Sequence, residues 1–271
     1  MIIIKIGGDN NINFDYVAED IYWLWKKERR KIIVIHGASK HRNQLAKKLG
    51  IPIRKIVSPS KVESYLTDAN FLDVCLMAYA GLVNKKLAAS LIKAGLKKTI
   101  GLTGIDGELF LSKQKEFVYA VEDKKVKLIR GDLSGKIYKI NVSLIDMLLK
   151  NDYLPVMTIP AIGDNGKILN VDNDSVIYAL MENYPVKEII SLIGVPGFLT
   201  NPSDETTVIS KINAKEIDNY LSFTQGTMKK KMIMAKRYFD LGLERMYLGD
   251  GRIRYPLRSL IQEKKGTVIT Q

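Results

Sequence analysis

Three places in the 271-residue sequence combine residue types that can handle a phosphate. The first is Ile2-Ile3-Ile4-Lys5-Ile6-Gly7-Gly8, a lysine inside an apolar run that ends in two glycines. Isoleucines at this density predict a buried strand, and open α/β sheets bind ligands beyond the carboxyl ends of their strands. A lysine there can meet a phosphate that the glycine N–H groups also contact. The second place is Lys231, close behind Gly226-Thr227-Met228, and the third is the acidic pair Asp172 and Asp174. Phosphoryl transfer needs mainly positioning and charge neutralisation. Two lysines from different parts of the chain can supply that, with a carboxylate between them to fix their positions. Each residue also has a plainer reading. Lys5 can belong to an ordinary strand that ends in a turn, and Asp174 can be the N-cap of a helix beginning at Ser175.

Other chemistries find less support. No G-x-G-x-x-G follows the first strand, and no Ser-His-Asp or metalloprotease pattern is present. The stretches 131–136 and 163–167 share part of a P-loop, but their spacing is short and no Ser or Thr follows the lysine, so both read as turns. Two histidines, His36 and His41, are too few for a histidine metal cluster. The single cysteine, Cys75, excludes disulfides and a cysteine-based metal site. No apolar run approaches the roughly 20 residues of a membrane span, and the N-terminus goes straight into a strand. A cytoplasmic protein without signal peptide or membrane segment is therefore expected. The net charge of +13, from 42 Lys and Arg against 29 Asp and Glu, points to an anionic partner. Aromatic interleaving, zinc-finger spacing and RNA-binding signatures are lacking, so nucleic acid is not the expected one.

The elements that must hold these residues follow from periodicity. Phe14, Val17, Ile21, Leu24 and Trp25 predict a helix over 14–27, capped by Asn13. A strand follows over 31–35, and a β-α-β unit this short implies a parallel pair. His36-Gly37-Ala38-Ser39 turns the chain into a helix over 40–49, and Pro52 and Pro59 punctuate a loop. A long helix runs from the cap at Thr67-Asp68 to Gly95. Strands over 98–102, 154–158, 188–193, 245–248 and 266–270 alternate with helices over 143–150, 175–182, 213–221, 228–240 and 256–263. The stretches 117–120 and 126–129 read as a hairpin with its turn over 122–125, and 130–136 as a loop. The expected fold is an α/β three-layer sandwich, with a mainly parallel central sheet and a β-hairpin insert.

Taken in order, these motifs resemble the amino acid kinase family, specifically its acetylglutamate kinase branch. Ile4-Lys5-Ile6-Gly7-Gly8 is similar to the family's first-strand motif, and Val34-Ile35-His36-Gly37 to the start of its glycine loop. The similarity continues through Asn84-Lys85-Lys86-Leu87, Gly135-Lys136-Ile137, Leu169-Asn170-Val171-Asp172-Asn173-Asp174, Val195-Pro196-Gly197 and Gly266-Thr267. Ser58-Pro59, the stretch 130–136 and the stretch 169–174 look closest to the carrier-linked kinases of lysine and arginine biosynthesis. Those enzymes phosphorylate aminoadipate or glutamate attached to LysW, a small acidic protein. An acidic carrier also suits the net charge of +13.

The resemblance implies one kinase domain over 1–271. Residues 1–170 would form a substrate-binding and dimerisation lobe, and 171–271 a nucleotide-binding lobe. It implies that Lys5 and Lys231 stabilise the transferring phosphoryl group while Asp174 orients both. Gly37, Ala38, Ser39, Tyr65, Asn170 and Asp172 would meet the substrate. Gly7, Gly8, Ile193, Gly194 and Gly197 would join the lysines at ATP, with Mg²⁺ arriving on the nucleotide. Several positions depart from the family pattern. Ala38 and Ser39 replace glycines, Tyr65 stands for a substrate-binding arginine, Ile193-Gly194 for Ser/Thr-Asp, and Thr227 for glycine. Three alternatives follow: a kinase of the free N-acetyl amino acid, a non-catalytic regulator or assembly partner with this fold, and an isopentenyl-phosphate or carbamate kinase. The last leaves the stretch 169–174 unexplained.

Overall fold

Every residue of the first strand, Ile2–Ile6, is buried, and the strand is paired in parallel on both sides. The structure, a computed structural model, describes residues 1–271 except 10, 29, 60–62, 123, 124, 222, 223 and 225, and describes 28, 122 and 227 by their backbone only.

The first half contains β1 (Ile2–Ile6), α1 (Phe14–Glu28), β2 (Ile32–His36), α2 (Ser39–Leu49), β3 (Lys55–Val57), β4 (Glu63–Tyr65), α3 (Ala69–Cys75), α4 (Asn84–Lys93), β5 (Thr99–Gly104), β6 (Phe110–Gln114), β7 (Phe117–Glu122), β8 (Lys125–Arg130), β9 (Gly135–Ile140) and α5 (Val142–Lys150). A π-helical stretch, Leu76–Val83, joins α3 to α4 in one continuous helix. The second half contains β10 (Leu154–Gly163), β11 (Ile168–Leu169), α6 (Asn173–Asn183), β12 (Glu188–Ile193), β13 (Phe198–Leu199), β14 (Val208–Ile209), β15 (Lys211–Asn213), α7 (Ile217–Leu221), α8 (Gly226–Asp240), β16 (Arg245–Asp250), α9 (Pro256–Ile261) and β17 (Thr267–Thr270).

One eleven-stranded sheet runs β15-β17-β16-β12-β1-β2-β10-β6-β9, with β5 and β11 also on β10. Its centre is parallel, and antiparallel pairs occur at β16–β17, β6–β9 and β10–β11. Alternation along each strand sorts the side chains into two cores. Ile2, Ile4 and Ile6 join Val17, Ile21, Leu87 and Leu257 from α1, α4 and α9 on one face. Ile3 and Ile35 join Val176, Ile177, Met232 and Ala235 from α6 and α8 on the other. This is the three-layer α/β sandwich with a mainly parallel sheet, and β7–β8 is the hairpin insert. The expected turn residues Asp123 and Lys124 lie outside the described residues.

Several expectations are corrected. The Pro52–Pro59 region is not all loop: it contains β3, which pairs antiparallel with β4 beyond Pro59. The loop expected over 130–136 is shorter, because β8 reaches Arg130 and β9 starts at Gly135. The helix expected over 213–221 begins as a 3₁₀ turn at Ala214–Glu216. β11, β13 and β14 are two-residue strands, too short to imprint a period, and β6 pairs with β9 and β10 farther along the chain, which local periodicity does not report. One helix, Ala69–Lys93, does have the length and apolarity of a membrane span, with mean hydropathy 1.2 over its best window. In this fold it is a core helix, with Phe71, Cys75, Ala78, Leu87 and Leu91 buried on the sheet.

That helix is hydrogen-bonded to the sheet at buried Asn84. Its amide donates to Val156 O at 3.0 Å and to His36 Nε2 at 3.1 Å. Gly101 on β5 makes the room, since a Cβ there would lie 2.0 Å from Asn84 Oδ1. Gly101→Ala is therefore expected to push Asn84 off the sheet and cost about 1–3 kcal/mol, as overpacking does. Chemical denaturation measures this, and an unchanged midpoint would refute the packing argument.

Candidate active site

At the carboxyl ends of the central strands, Lys5 of β1 stands opposite Ser191 of β12 in register. Lys5 points to the face that carries α6 and α8, where its Nζ pairs with Asp174 Oδ1. The cap of α6 is Asp172, whose carboxylate accepts from the Asp174 N–H at 2.8 Å. Asp174 is thus not the cap, and its own carboxylate is free to face β1. From α8, the Tyr238 hydroxyl lies 2.9 Å from Asp174 O and 3.1 Å from its Oδ1. Also from α8, Lys231 Nζ donates to Ser191 Oγ at 3.1 Å. The structure thus brings Lys5, Asp174 and Lys231 together.

The electrostatics follow from this crowding. Burial, then the positive charge of Lys5, pull the Lys231 ammonium down to about 7, against the attraction of Asp174. Burial pushes the Asp174 carboxyl up. Lys5 and Lys231 outweigh it, with hydrogen bonds from Lys5 and Tyr238, and hold the group below the usual carboxylate range.

Two turns border the cluster. The Gly7 N–H donates to Leu192 O at 2.7 Å and the Gly37 N–H to Ile6 O at 2.8 Å, so neither is available to a ligand. Among the described residues the N–H groups of Gly8 and Ser39 meet no acceptor. The backbones pack tightly, for a Cβ on Gly8 would lie 2.5 Å from Ser39 N. Ala38 has φ −147, outside the region that demands glycine, and it is fully buried. Ser39 turns its hydroxyl back to Gly8 O at 3.3 Å. His36 is fully buried and lowered by burial to about 4. Its Nε2 faces the Asn84 amide and its Nδ1 faces Gly37 O at 3.3 Å, so a neutral ring supports the turn.

The remaining predicted residues form two groups. Asn170 Nδ2 donates to Thr67 Oγ1 at 3.0 Å, and its carbonyl accepts from Gly135 N at 2.8 Å. Buried Asp132 ties the same loops, accepting from Thr67 N at 2.7 Å and Ser134 N at 3.1 Å. Tyr65, two residues before Thr67, stacks under the guanidinium of Arg42. On the other side, Ile193 O accepts from Gly251 N at 2.8 Å. Gly194 lies against the Asp9 carboxylate, which a Cβ would approach to 2.6 Å. Gly197 lies against Thr267, whose Oγ1 accepts from Phe198 N at 2.8 Å. The side chain of Thr227 lies outside the described residues.

Among the described residues no three His, Cys, Asp or Glu side chains group to hold a metal. Two ammonium groups beside glycine turns suit phosphate oxygens, and a divalent cation fits here as a passenger on those phosphates. The cavity lined by Ile2, Arg30, Glu188 and Arg245 lies at the opposite, amino-terminal end of the strands. Sequence reasoning missed Ser191, Tyr238, Asp9 and Arg42. Tyr238 had a signal, standing two helical turns after Lys231. Arg42 had another, because it interrupts the stripe of Ala38 and Ala46 on α2.

The sequence pattern of the amino acid kinase family matches residues 1–247. The chain belongs to that family. It is 38% identical over 271 residues to the LysW-aminoadipate kinase of Thermus thermophilus, covering 99% of this chain and 100% of the relative. It is 37% identical over 270 residues to the LysW-aminoadipate kinase of Deinococcus radiodurans, covering 100% of this chain and 91% of the relative. Among solved structures, N-acetylglutamate synthase from Neisseria gonorrhoeae, complexed with coenzyme A and L-arginine, has the same fold. Its TM-score is 0.77 at 18% identity, over 99% of this chain and 61% of that one.

The lowered Lys231 gives this family member a pH signature. Below about 7 its ammonium is charged and attracts phosphate; above 7 it is neutral and does not. ATP affinity, measured by calorimetry, is expected to fall as pH rises through this value. In Lys231→Arg, whose guanidinium stays charged, that limb disappears. A wild-type affinity that stays flat over the same range would rule out the assignment.

Proposed function

We propose that the chain transfers the γ-phosphoryl group of ATP to the side-chain carboxylate of 2-aminoadipate held on a LysW-like carrier protein. A carboxylate oxygen attacks the γ-phosphorus in line, the bond to the bridging oxygen breaks, and an acyl phosphate and ADP leave. The convergence of Lys5, Asp174 and Lys231 at the carboxyl ends of the strands carries this reading. Lys5 and Lys231 neutralise charge on the phosphoryl oxygens, and Asp174, fixed by Tyr238, keeps the two ammonium groups apart and aimed. The free N–H groups of Gly8 and Ser39 supply further donors. Mg²⁺, carried by the phosphates, adds charge neutralisation when bound.

Residues 1–170 take the substrate in this reading, through the α2 turn and the Thr67–Asn170 loops, and 171–271 take the nucleotide near Ile193, Gly194 and Gly197. The single sheet couples the halves, since β1 pairs with β12. The carrier substrate follows from the two relatives at 37–38% identity named for it. Glutamate, as in arginine biosynthesis, is the second acceptor to assay, and a cytoplasmic homodimer joined through the N-terminal half belongs to the same reading. The substitutions that favour a non-catalytic member are accommodated: Ala38 is unstrained, an Asp9 carboxylate lies beside Gly194, and a guanidinium covers Tyr65.

Lys5→Ala and Lys231→Ala are expected to lower turnover of carrier-linked aminoadipate by orders of magnitude, roughly 10²–10³-fold, the scale seen when one transition-state donor is removed. Folding is checked by circular dichroism, and full turnover in either variant would remove that lysine from the mechanism. Equal turnover of free N-acetylaminoadipate would remove the carrier from the reading. Carrier association should weaken as salt shortens the Debye length from about 30 Å at 0.01 M to about 8 Å at 0.15 M. Salt-independent binding would refute a role for the +13 charge.

A further inference from the structure

The first turn of α2 carries a buried guanidinium that the chemistry above leaves unused. Arg42 is 5% exposed and shares the inward stripe of its helix with Ala38 and Ala46. Its Nε and Nη2 donate to Asn43 Oδ1 at 3.1 and 2.8 Å. Its face covers two rings, with the Tyr65 centroid at 4.2 Å and the Phe71 centroid at 5.1 Å. Among the described residues no carboxylate lies within ion-pair distance of it. Burying a charge without a counter-charge is costly unless an anion arrives to meet it. Asn43 uses one side of the fork. The end formed by Nη1 and the second hydrogen of Nη2 keeps the parallel donors that fit a carboxylate.

Its surroundings say which anion. Arg42 sits about one helical turn, roughly 5 Å along the axis, beyond Ser39 and the glycine turns. Its charge acts on the Tyr79 hydroxyl, which also faces Asp172 and the Ala38 backbone. Tyr65 leads directly to Thr67, which holds Asn170. The guanidinium thus lies among the α2 turn, the end of β4 and the loop before α6. Aminoadipate tethered through its amino group keeps two carboxylates. One must face Lys5 and Lys231 to be phosphorylated, and the other enters the site as an anion without a partner.

We propose that Arg42 binds this non-reacting α-carboxylate and so sets the direction in which the substrate lies; this rests on the kinase reading above. Tyr65 is then the platform that holds the guanidinium flat. The charge that the family pattern places on the strand at position 65 comes instead from the facing helix.

The test is calorimetric binding of two carrier adducts, carrier-linked 2-aminoadipate and carrier-linked 5-aminopentanoate, which lacks only the α-carboxylate. Wild type should bind the first roughly 10- to 100-fold more tightly, the range of charged hydrogen bonds. Arg42→Met, which keeps the apolar contacts, should bind both adducts equally, with ATP affinity unchanged and a melting temperature no lower than wild type. Arg42→Lys should fall between, and Tyr65→Arg added to Arg42→Met should restore the preference. Arg42→Met that still prefers the aminoadipate adduct overturns the proposal, as does a lower melting temperature with the preference intact. Turnover is read separately. Wild type that binds the first adduct with the stated preference but does not phosphorylate it rejects the kinase reading and leaves the Arg42 comparison decisive. Wild type that shows no preference overturns the proposal whatever its turnover.

Discussion

The Lys5–Asp174 ion pair constrains most of what surrounds it. Both charges sit at the edge of an apolar core, where removing one partner of such a pair costs about 3–5 kcal/mol. The pair forms only if β1 lies centrally in the sheet and α6 starts at its carboxyl end. Parallel pairing of β1 with β2 and β12 meets the first condition. Capping by Asp172 meets the second, because it starts the helix two residues before the carboxylate that must reach Lys5. Tyr238 and Lys231 then bring α8 to the same point, so that three elements distant in sequence are tied together by one set of charges.

Close backbone approach is the second constraint. Gly8 and Gly37 allow the turns after β1 and β2 to touch, since a Cβ on Gly37 would lie 2.9 Å from Gly8 N. Tight contact uses up the Gly7 and Gly37 N–H groups inside the fold and leaves those of Gly8 and Ser39 without an acceptor among the described residues. The glycine pair therefore has two jobs. One residue closes the sheet, and the other offers a donor beside the two lysines.

How much of this could be read from the sequence depended on range. The buried strands β1, β2 and β12 and the helices α1, α2 and α8 announced themselves, because burial imprints a period of 2 or 3.6 on local sequence. Lys5, Asp174 and Lys231 were recognisable as types in a plausible order. Strands β6 and β9 were not, since their partners lie farther along the chain, and β11, paired with the β10 just before it, has only two residues to carry a pattern. Asp174 was a plausible cap on paper, and the structure gives that part to Asp172. Ser191 escaped because a single serine in an apolar strand has no meaning until Lys5 is seen opposite it.

The substituted positions show why a motif read position by position can mislead. Gly194 lacks a side chain, yet a carboxylate lies there, supplied by Asp9 from the loop after β1. Tyr65 lacks a charge, yet a guanidinium lies on its ring, supplied by Arg42 from α2. A ligand meets charges in space and is indifferent to which strand or helix delivers them. Loss of a motif residue therefore argues against activity only when no neighbouring element places an equivalent group at the same point, and in this fold the loop after β1 and the first turn of α2 are positioned to do so.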